Sequence, residues 1–294
     1  MENKITFGKV LTNVILVMIS LLFILPIFMV IAISLSTEQS ILDYGYNIWP
    51  KEWSVAAYKL AFQNPGQIIQ SYKITILFSV VGTVLALIVE SMGAYPLSKN
   101  SYKYKKFFLV FSLITMLFTG GLIPNYILNT RYLHIGNTIW VYILPFLANA
   151  WNVMILKTFF QGLPDGLSEA AKIDGASEFR ILFQIIIPLS TPVLATLGFR
   201  ILLERWNDWN TALIYIREDN LYSLQYLLQR ILRETEFIKK SLAEGQMSML
   251  SEDEIPTETL RYAMAVIAAG PMMLVFPFFQ KYLAKGLVVG SVKG

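Results

Sequence analysis

The chain has 294 residues, is 55% hydrophobic, carries only 15% charged residues and has a formal net charge of +4. Soluble proteins average about 45–50% apolar and about 25% charged residues; here the apolar excess is gathered into long runs, which points to a polytopic membrane protein. Cysteine is absent and His134, in a short polar loop, is the one histidine. This excludes disulfides and thiolate metal sites and leaves little for a histidine metal cage or a Ser-His-Asp triad, so no metal site is expected. The positive charges sit in short loops between apolar runs, which argues against a nucleic-acid partner.

A bilayer core needs about 20 apolar residues per helix. Val10–Ser34 follows Lys4 and Lys9 and is longer than the apolar region of about 7–15 residues in a signal peptide, so it reads as a retained spanning helix. Ile74–Leu97, Phe107–Leu128, Ile139–Phe160, Ile185–Trp206 and Tyr262–Leu283 follow. The expected fold is all-α, a single transmembrane domain over residues 1–294 built as a polytopic bundle of six spanning helices. Pro26, Pro96, Pro124, Pro145, Pro188, Pro192, Pro271 and Pro277 fall inside these runs or at their ends; membrane helices tolerate them where neighbours satisfy the freed backbone groups.

Lysine and arginine in the connections set the orientation. Lys99, Lys103, Lys105 and Lys106 crowd the link after the second run, Lys4 and Lys9 precede the first, and Lys281, Lys285 and Lys293 lie at the tail. Placing these on one side puts both termini and residues 161–184 in the cytoplasm, and residues 207–258 outside. Within that outer segment, Tyr222–Glu244 carries Leu224, Leu227, Leu228, Ile231 and Leu232 at helical spacing between charges. Two compatible readings stand: a helix lying on the chain's own outer surface, and a contact for an extracellular delivery protein. Gly245–Glu258 is polar and acidic and reads as a flexible loop.

The 161–184 loop differs from its surroundings. Pro164 can start a helix, Glu169, Ala170, Ala171 and Lys172 favour one, Gly175 after Asp174 can end it in the left-handed conformation, and Ser177 can cap a second. The expected element is a helix, a glycine turn and a second helix carrying Phe179. Glu169 offers a charged hydrogen bond to a partner's Arg or Lys. On local physics alone, any inner loop can form such a hairpin.

Ionisable residues within spans are costly and mark functional positions. Glu90 lies in the second run, Asn149 and Asn152 in the fourth, and Arg200, Glu204 and Arg205 near the end of the fifth, followed by Trp206, Asn207 and Asp208. Arg200, Glu204 and Asp208 share one helical face. They form either a ladder of ion pairs that holds the helix packed or a polar wall of a solute pathway, with Glu90, Asn149, Asn152, Trp206, Asn207 and Asp208 as candidate contacts. Trp206 and Trp209 serve equally well as interface anchors, and Glu90 as an interhelical hydrogen-bond donor or acceptor.

Glu169-Ala170-Ala171, Asp174-Gly175-Ala176, Phe179, Ile186, Pro188 and Pro192 together resemble the EAA motif of ABC-importer permeases. The likeness covers essentially the whole chain and is nearest to the carbohydrate permeases of the maltose-transporter type. Trp206-Asn207-Asp208-Trp209 is similar to the Trp-Asn segment of the oligosaccharide branch, and Gly290 to Gly294 to its C-terminal tail. The resemblance implies a type I ABC-importer permease fold and a bacterial cytoplasmic membrane. It implies a second, homologous permease as heterodimer partner, an ATPase dimer and an extracellular solute-binding protein. Glu169, Ala170, Ala171, Asp174, Gly175, Ala176 and Phe179 would dock into the ATPase, with Lys293 and Gly294 contributing from the tail. The chain has no Gly-x-x-x-x-Gly-Lys-Ser/Thr loop, so it is not the ATP-hydrolysing subunit. ATP and magnesium would be bound by the partner, and no cofactor by this chain. A permease for a non-sugar solute shares the EAA-like loop. A secondary transporter needs coupling-ion sites and often inverted repeats, and neither is visible.

Overall fold

The computed structural model describes residues 7–244 and 256–291. Lys4, most of the Gly245–Glu258 loop, Lys293 and Gly294 lie outside the described residues. In chain order the helices are α1 (Phe7–Ser34), α2 (Glu38–Tyr44), α3 (Ala56–Ala61), α4 (Pro65–Ser98), α5 (Lys105–Leu117), α6 (Leu122–Ile127), α7 (Ala150–Gln161), α8 (Asp165–Ile173), α9 (Glu178–Ile181), α10 (Ile187–Leu189), α11 (Thr191–Trp206), α12 (Asn210–Tyr215), α13 (Leu224–Ala243) and α14 (Glu258–Ser291). α1, α4 and α14 each contain a continuous stretch long and apolar enough to cross a membrane.

Three further apolar stretches qualify only when two bent helices are taken together, which brings the candidate spans to six. The sequence reading takes each of these runs as one spanning helix; the structure keeps the run and breaks the helix within it. The 107–128 run breaks between α5 and α6 with a bend of 110°. Gly120 and Gly121 sit in the break, and Gly121 holds φ +83 with ψ 179, a region open essentially to glycine alone and costing other residues about 1–3 kcal/mol. The 139–160 run opens as two short 3-10 turns, Ile139–Tyr142 and Leu144–Phe146, and bends by 49° before α7. Pro145 supplies no N–H there, and Asn149 restarts the helix by accepting from the amides of Trp151 and Asn152. The 185–206 run turns by 82° at Ser190, between Pro188 and Pro192.

The chain groups into two compact units, residues 1–65 with 228–271, and residues 66–227 with 272–294. In the first unit, α1 is almost uniformly apolar, and its hydroxyls are turned inward on the backbone: Thr12 donates to the Gly8 carbonyl and Ser20 to that of Leu16. The polar part of this unit centres on Glu38. Thr37 caps α2 by accepting from Ser40 N–H. Glu38 then reaches the start of α14, where it accepts from the amides of Glu258 and Thr259 and from the hydroxyls of Thr257 and Thr259, at 2.9–3.0 Å. Lys239 stands 3.7 Å from the same carboxylate.

The second unit is organised around α4. One cluster joins Ile74 and Phe78 of α4 with Val141, Tyr142, Ala212 and Tyr222, and Phe78 stacks on Tyr142 with centroids 4.4 Å apart. Leu224 N–H at the start of α13 donates to the buried Thr75 hydroxyl. The helical spacing seen between Tyr222 and Glu244 becomes α13, with Leu224, Leu227 and Leu228 buried. A second cluster joins Ala94 and Tyr95 with Leu156, Phe160, Ile181, Leu182, Ile186 and Leu197.

Candidate functional site

Two places in the second unit combine exposed or unpaired polar groups with a defined frame. The first is the hairpin of residues 161–184. α8 begins at Asp165 after the extended Pro164 and ends in two interlocking bonds. Ala176 N–H donates to the Ala171 carbonyl at 2.9 Å and Gly175 N–H to that of Lys172 at 3.0 Å, with Gly175 at φ +76. This is the Schellman pattern, in which a left-handed residue lets the last carbonyls of a helix be satisfied by the chain itself. Ser177 then caps α9 by accepting from Arg180 N–H. The helix–glycine–helix expectation matches this geometry residue by residue.

Glu169, Ala170, Asp174 and Phe179 are exposed, while Ala171 and Ala176 pack against the second cluster. Ile173 is 87% exposed and Phe179 65% exposed. The hairpin thus carries an outward apolar face beside acidic Glu169. Sequence reasoning missed how this element is held. Lys99 Nζ donates to Ser168 Oγ at 3.0 Å, the Tyr95 hydroxyl donates to Glu178 Oε2 at 2.6 Å, and Lys172 pairs with Glu178 Oε1 at 2.6 Å. The partners in the Lys99–Ser168 and Tyr95–Glu178 pairs lie 69 and 83 residues apart in the sequence, beyond any local pattern; the lysine-rich link at Lys99 is the one visible hint.

The second place is a cavity of about 300 Å³ lined by Glu90, Tyr142, Asn149, Asn152, Glu204, Arg205 and Asp208, among others. Glu90 is 1% exposed. Its Oε1 accepts from Asn149 N–H at 3.1 Å and Asn152 Nδ2 at 2.8 Å, while Oε2 has no hydrogen-bond partner among the described residues. Arg200 donates to Asn152 Oδ1 at 2.5 Å and pairs with Glu204 at 3.2 Å. Arg205 is buried and donates to the carbonyls of Tyr142 at 2.8 Å and Phe146 at 3.0 Å. It thereby satisfies backbone that the break before α7 sets free, as a membrane interior requires. Gly82 gives it room: a Cβ there would lie 2.6 Å from Arg205 Nη1.

Glu90, Asn149, Asn152 and Asp208 therefore come together as the sequence reading pairs them. Trp206 and Asn207 do not line the cavity. Trp206 is buried against Tyr72, and Asn207 donates to the Leu203 carbonyl and accepts from Gln225. The ladder of Arg200, Glu204 and Asp208 is realised only in its first pair, because Asp208 turns to accept from Thr211 N–H at the start of α12. No group of three or more His, Cys, Asp or Glu able to hold a metal occurs among the described residues.

Helices long enough for a bilayer, broken spans lined with buried polar groups and a self-contained hairpin define a multi-pass membrane protein of the transport class. Residues 107–289 match the model of the family described as binding-protein-dependent transport system inner membrane component, and the chain belongs to that family. It is 35% identical over 280 residues to the Polygalacturonan/rhamnogalacturonan transport system permease protein YtcP of Bacillus subtilis (strain 168), covering 95% of this chain and 96% of that one. It is 38% identical over 272 residues to Protein LplC of the same organism, covering 92% and 90%. Its structure is similar to one from a crystal structure of a bacterial ABC transporter involved in the import of the acidic polysaccharide alginate. The TM-score is 0.74 at 27% identity, over 96% of this chain and 99% of that one. The all-α fold is accordingly that of a type I ABC-importer permease.

Proposed function

We propose that the chain is the permease subunit of an importer that carries an oligosaccharide handed over by an extracellular binding protein. A separate ATPase pair drives it through the 161–184 hairpin. In this reading both termini and the hairpin face the cytoplasm, a second homologous permease completes the pathway, and ATP and magnesium are held by the ATPase. Residues 207–258 lie outside, where α13 is available to the binding protein, and Lys293 and Gly294 add to the ATPase contact.

The observation that carries the reading is the outward face of the hairpin. Ile173 and Phe179 stand exposed on an element whose turn satisfies its own backbone, and exposed apolar residues framed by charge mark a protein contact. Glu169 supplies the charged group beside them. On the solute side, the amides and carboxyl groups of Glu90, Asn149, Asn152 and Asp208 line one cavity and suit a hydroxyl-rich solute. The named sugars of the relatives and of the solved alginate importer favour an oligosaccharide over a non-sugar solute.

Co-purification tests it. The chain is tagged and co-expressed with its second permease and ATPase, and Glu169→Lys is combined with Gly175→Pro. The double variant is expected to insert into the membrane normally and to retain less than about a tenth of the ATPase, the scale of losing one charged hydrogen bond. ATPase recovery equal to the parent would remove the hairpin as the docking element.

A further inference from the structure

The hairpin is joined covalently to α7 before it and to the α10–α11 segment after it. Neither connection involves α4. Both helices of the hairpin are nevertheless bonded to the end of α4: Tyr95 in its last turn donates to Glu178 of α9 at 2.6 Å, and Lys99, just beyond it, donates to Ser168 of α8 at 3.0 Å. Lys172 of α8 closes the set on Glu178, and Lys99 Nζ lies 5.2 Å from the Tyr95 ring centroid. One turn of α4 thus holds both arms.

Between that turn and α8 lies a cavity of about 450 Å³ lined by Ser98, Lys99, Asn100, Ser101, Ser168 and Glu169, among others. Ala171 and Ala176 pack against the cluster that holds Tyr95, and on the cavity side the bond from Lys99 to Ser168 ties this arm to the end of α4. Five residues back along the same uninterrupted helix is Glu90, about 7.5 Å away at about 1.5 Å per residue. Glu90 is bonded to Asn149 and Asn152 across the other cavity.

We propose that Tyr95 and Glu178 are positioning residues. Their hydrogen bond passes a displacement of the hairpin to α4, and through α4 to the Glu90–Asn152 contact in the polar cavity. The proposal rests on the hairpin being the ATPase-docking element. α4 runs as one helix from Glu90 to Tyr95, with Pro96 removing only the bond to the Met92 carbonyl, whereas the route through α11 meets a bend of 82°; α7 also reaches Asn152 without a bend, so the hairpin bears on the Glu90–Asn152 contact from both sides.

The absence of cysteine permits a readout that needs no knowledge of the solute. In the assembled transporter in lipid vesicles, Ala148→Cys places one thiol on this chain at the lining of the polar cavity. Its labelling rate by a maleimide is measured with and without ATP and vanadate, alongside the amount of ATPase bound. In the otherwise unchanged chain the rate is expected to respond to nucleotide. Adding Tyr95→Phe, which keeps the ring among Ile181 and Leu182 and removes only the hydroxyl, is expected to cut that response about tenfold, the scale of one hydrogen bond to a charged acceptor. Bound ATPase and its hydrolysis are expected to stay unchanged. Glu178→Ala is expected to do the same, and its half-exposed side chain makes it decisive should the tyrosine variant fail to assemble. Combining the two is expected to add nothing to Glu178→Ala alone, which already removes the bond to Tyr95 together with the exposed pair to Lys172. An undiminished response in either assembled variant, or a combined loss equal to the product of the single losses, overturns the proposal. A parent chain that binds no ATPase strikes the docking reading itself, an outcome separate from intact binding with an undiminished response.

Discussion

Glu38 and Glu90 are both buried carboxyl groups, at 6% and 1% exposure, and they are treated in opposite ways. Glu38 in the first unit has both oxygens filled by four donors at the N-terminus of α14. It caps that helix from elsewhere in the chain, where a negative charge also complements the positive end of the helix dipole. Glu90 in the second unit has one oxygen doubly bonded and the other unpaired at a cavity wall. A saturated carboxylate serves the fold, since every donor it meets would otherwise be orphaned. A half-filled one keeps binding capacity in reserve, at a desolvation cost that a purely structural residue has no reason to carry.

The comparison can be broken most directly at Glu38. Glu38→Gln turns an N–H₂ group toward backbone amides that cannot rotate away. It is expected to cost about 2–3 kcal/mol, seen as an earlier thermal unfolding transition in detergent and as faster amide exchange at Thr259. The acid behaviour of Glu38 sharpens the same point. Burial raises its pKa, but the amides of Glu258 and Thr259 and the hydroxyls of Thr257 and Thr259 outweigh burial and hold it below the ordinary value of 4.5. A depressed carboxylate contributes stability that is fully present above its unfolded pKa and lost as pH falls through the folded one. Protection of the Thr259 amide should therefore persist down to about pH 4.5 and collapse below it, and Glu38→Gln should flatten that dependence.

Glu90→Gln should be milder. The bonds from Asn149 and Asn152 need one acceptor oxygen, which glutamine retains, so a stability loss of about 1 kcal/mol or less is expected while solute transport in vesicles falls. A loss as large as that of Glu38→Gln would erase the distinction between the two sites. At the bottom of the scale, Glu234→Ala removes a solvent-exposed pair with Arg230 one helical turn away. It should change the unfolding transition by no more than about 0.5 kcal/mol, which sets the background for the other two.

The sequence shows which stretches are long and apolar enough to cross a bilayer, because its thickness sets one run length for every crossing, and the runs from Val10 to Leu283 all meet it. It also shows the hairpin, because Gly175 and Ser177 act within their own few residues. The bends are hidden. Glycine and proline mark where a helix is weak, but whether it breaks depends on a partner for the freed carbonyls, and Arg205 finds Tyr142 across 63 residues. The same applies to Glu38, whose partners in α14 lie about 220 residues away. The mixed outcome for the Trp206–Asp208 segment has a similar cause. A helix ending at Trp206 sends successive residues in different directions, so adjacency in the sequence placed Asp208 in the cavity and left Trp206 and Asn207 out of it.

Arg205 has a consequence for any substitution at its position. Its two terminal nitrogens serve two carbonyls on consecutive short turns at once, and the planar fork sets the spacing between them. An ammonium group, being a single point, satisfies one carbonyl or the other and leaves the second without a partner beside the polar cavity. The guanidinium is thus a splint across a fracture in the chain, holding the two short turns of the bent span at a fixed separation.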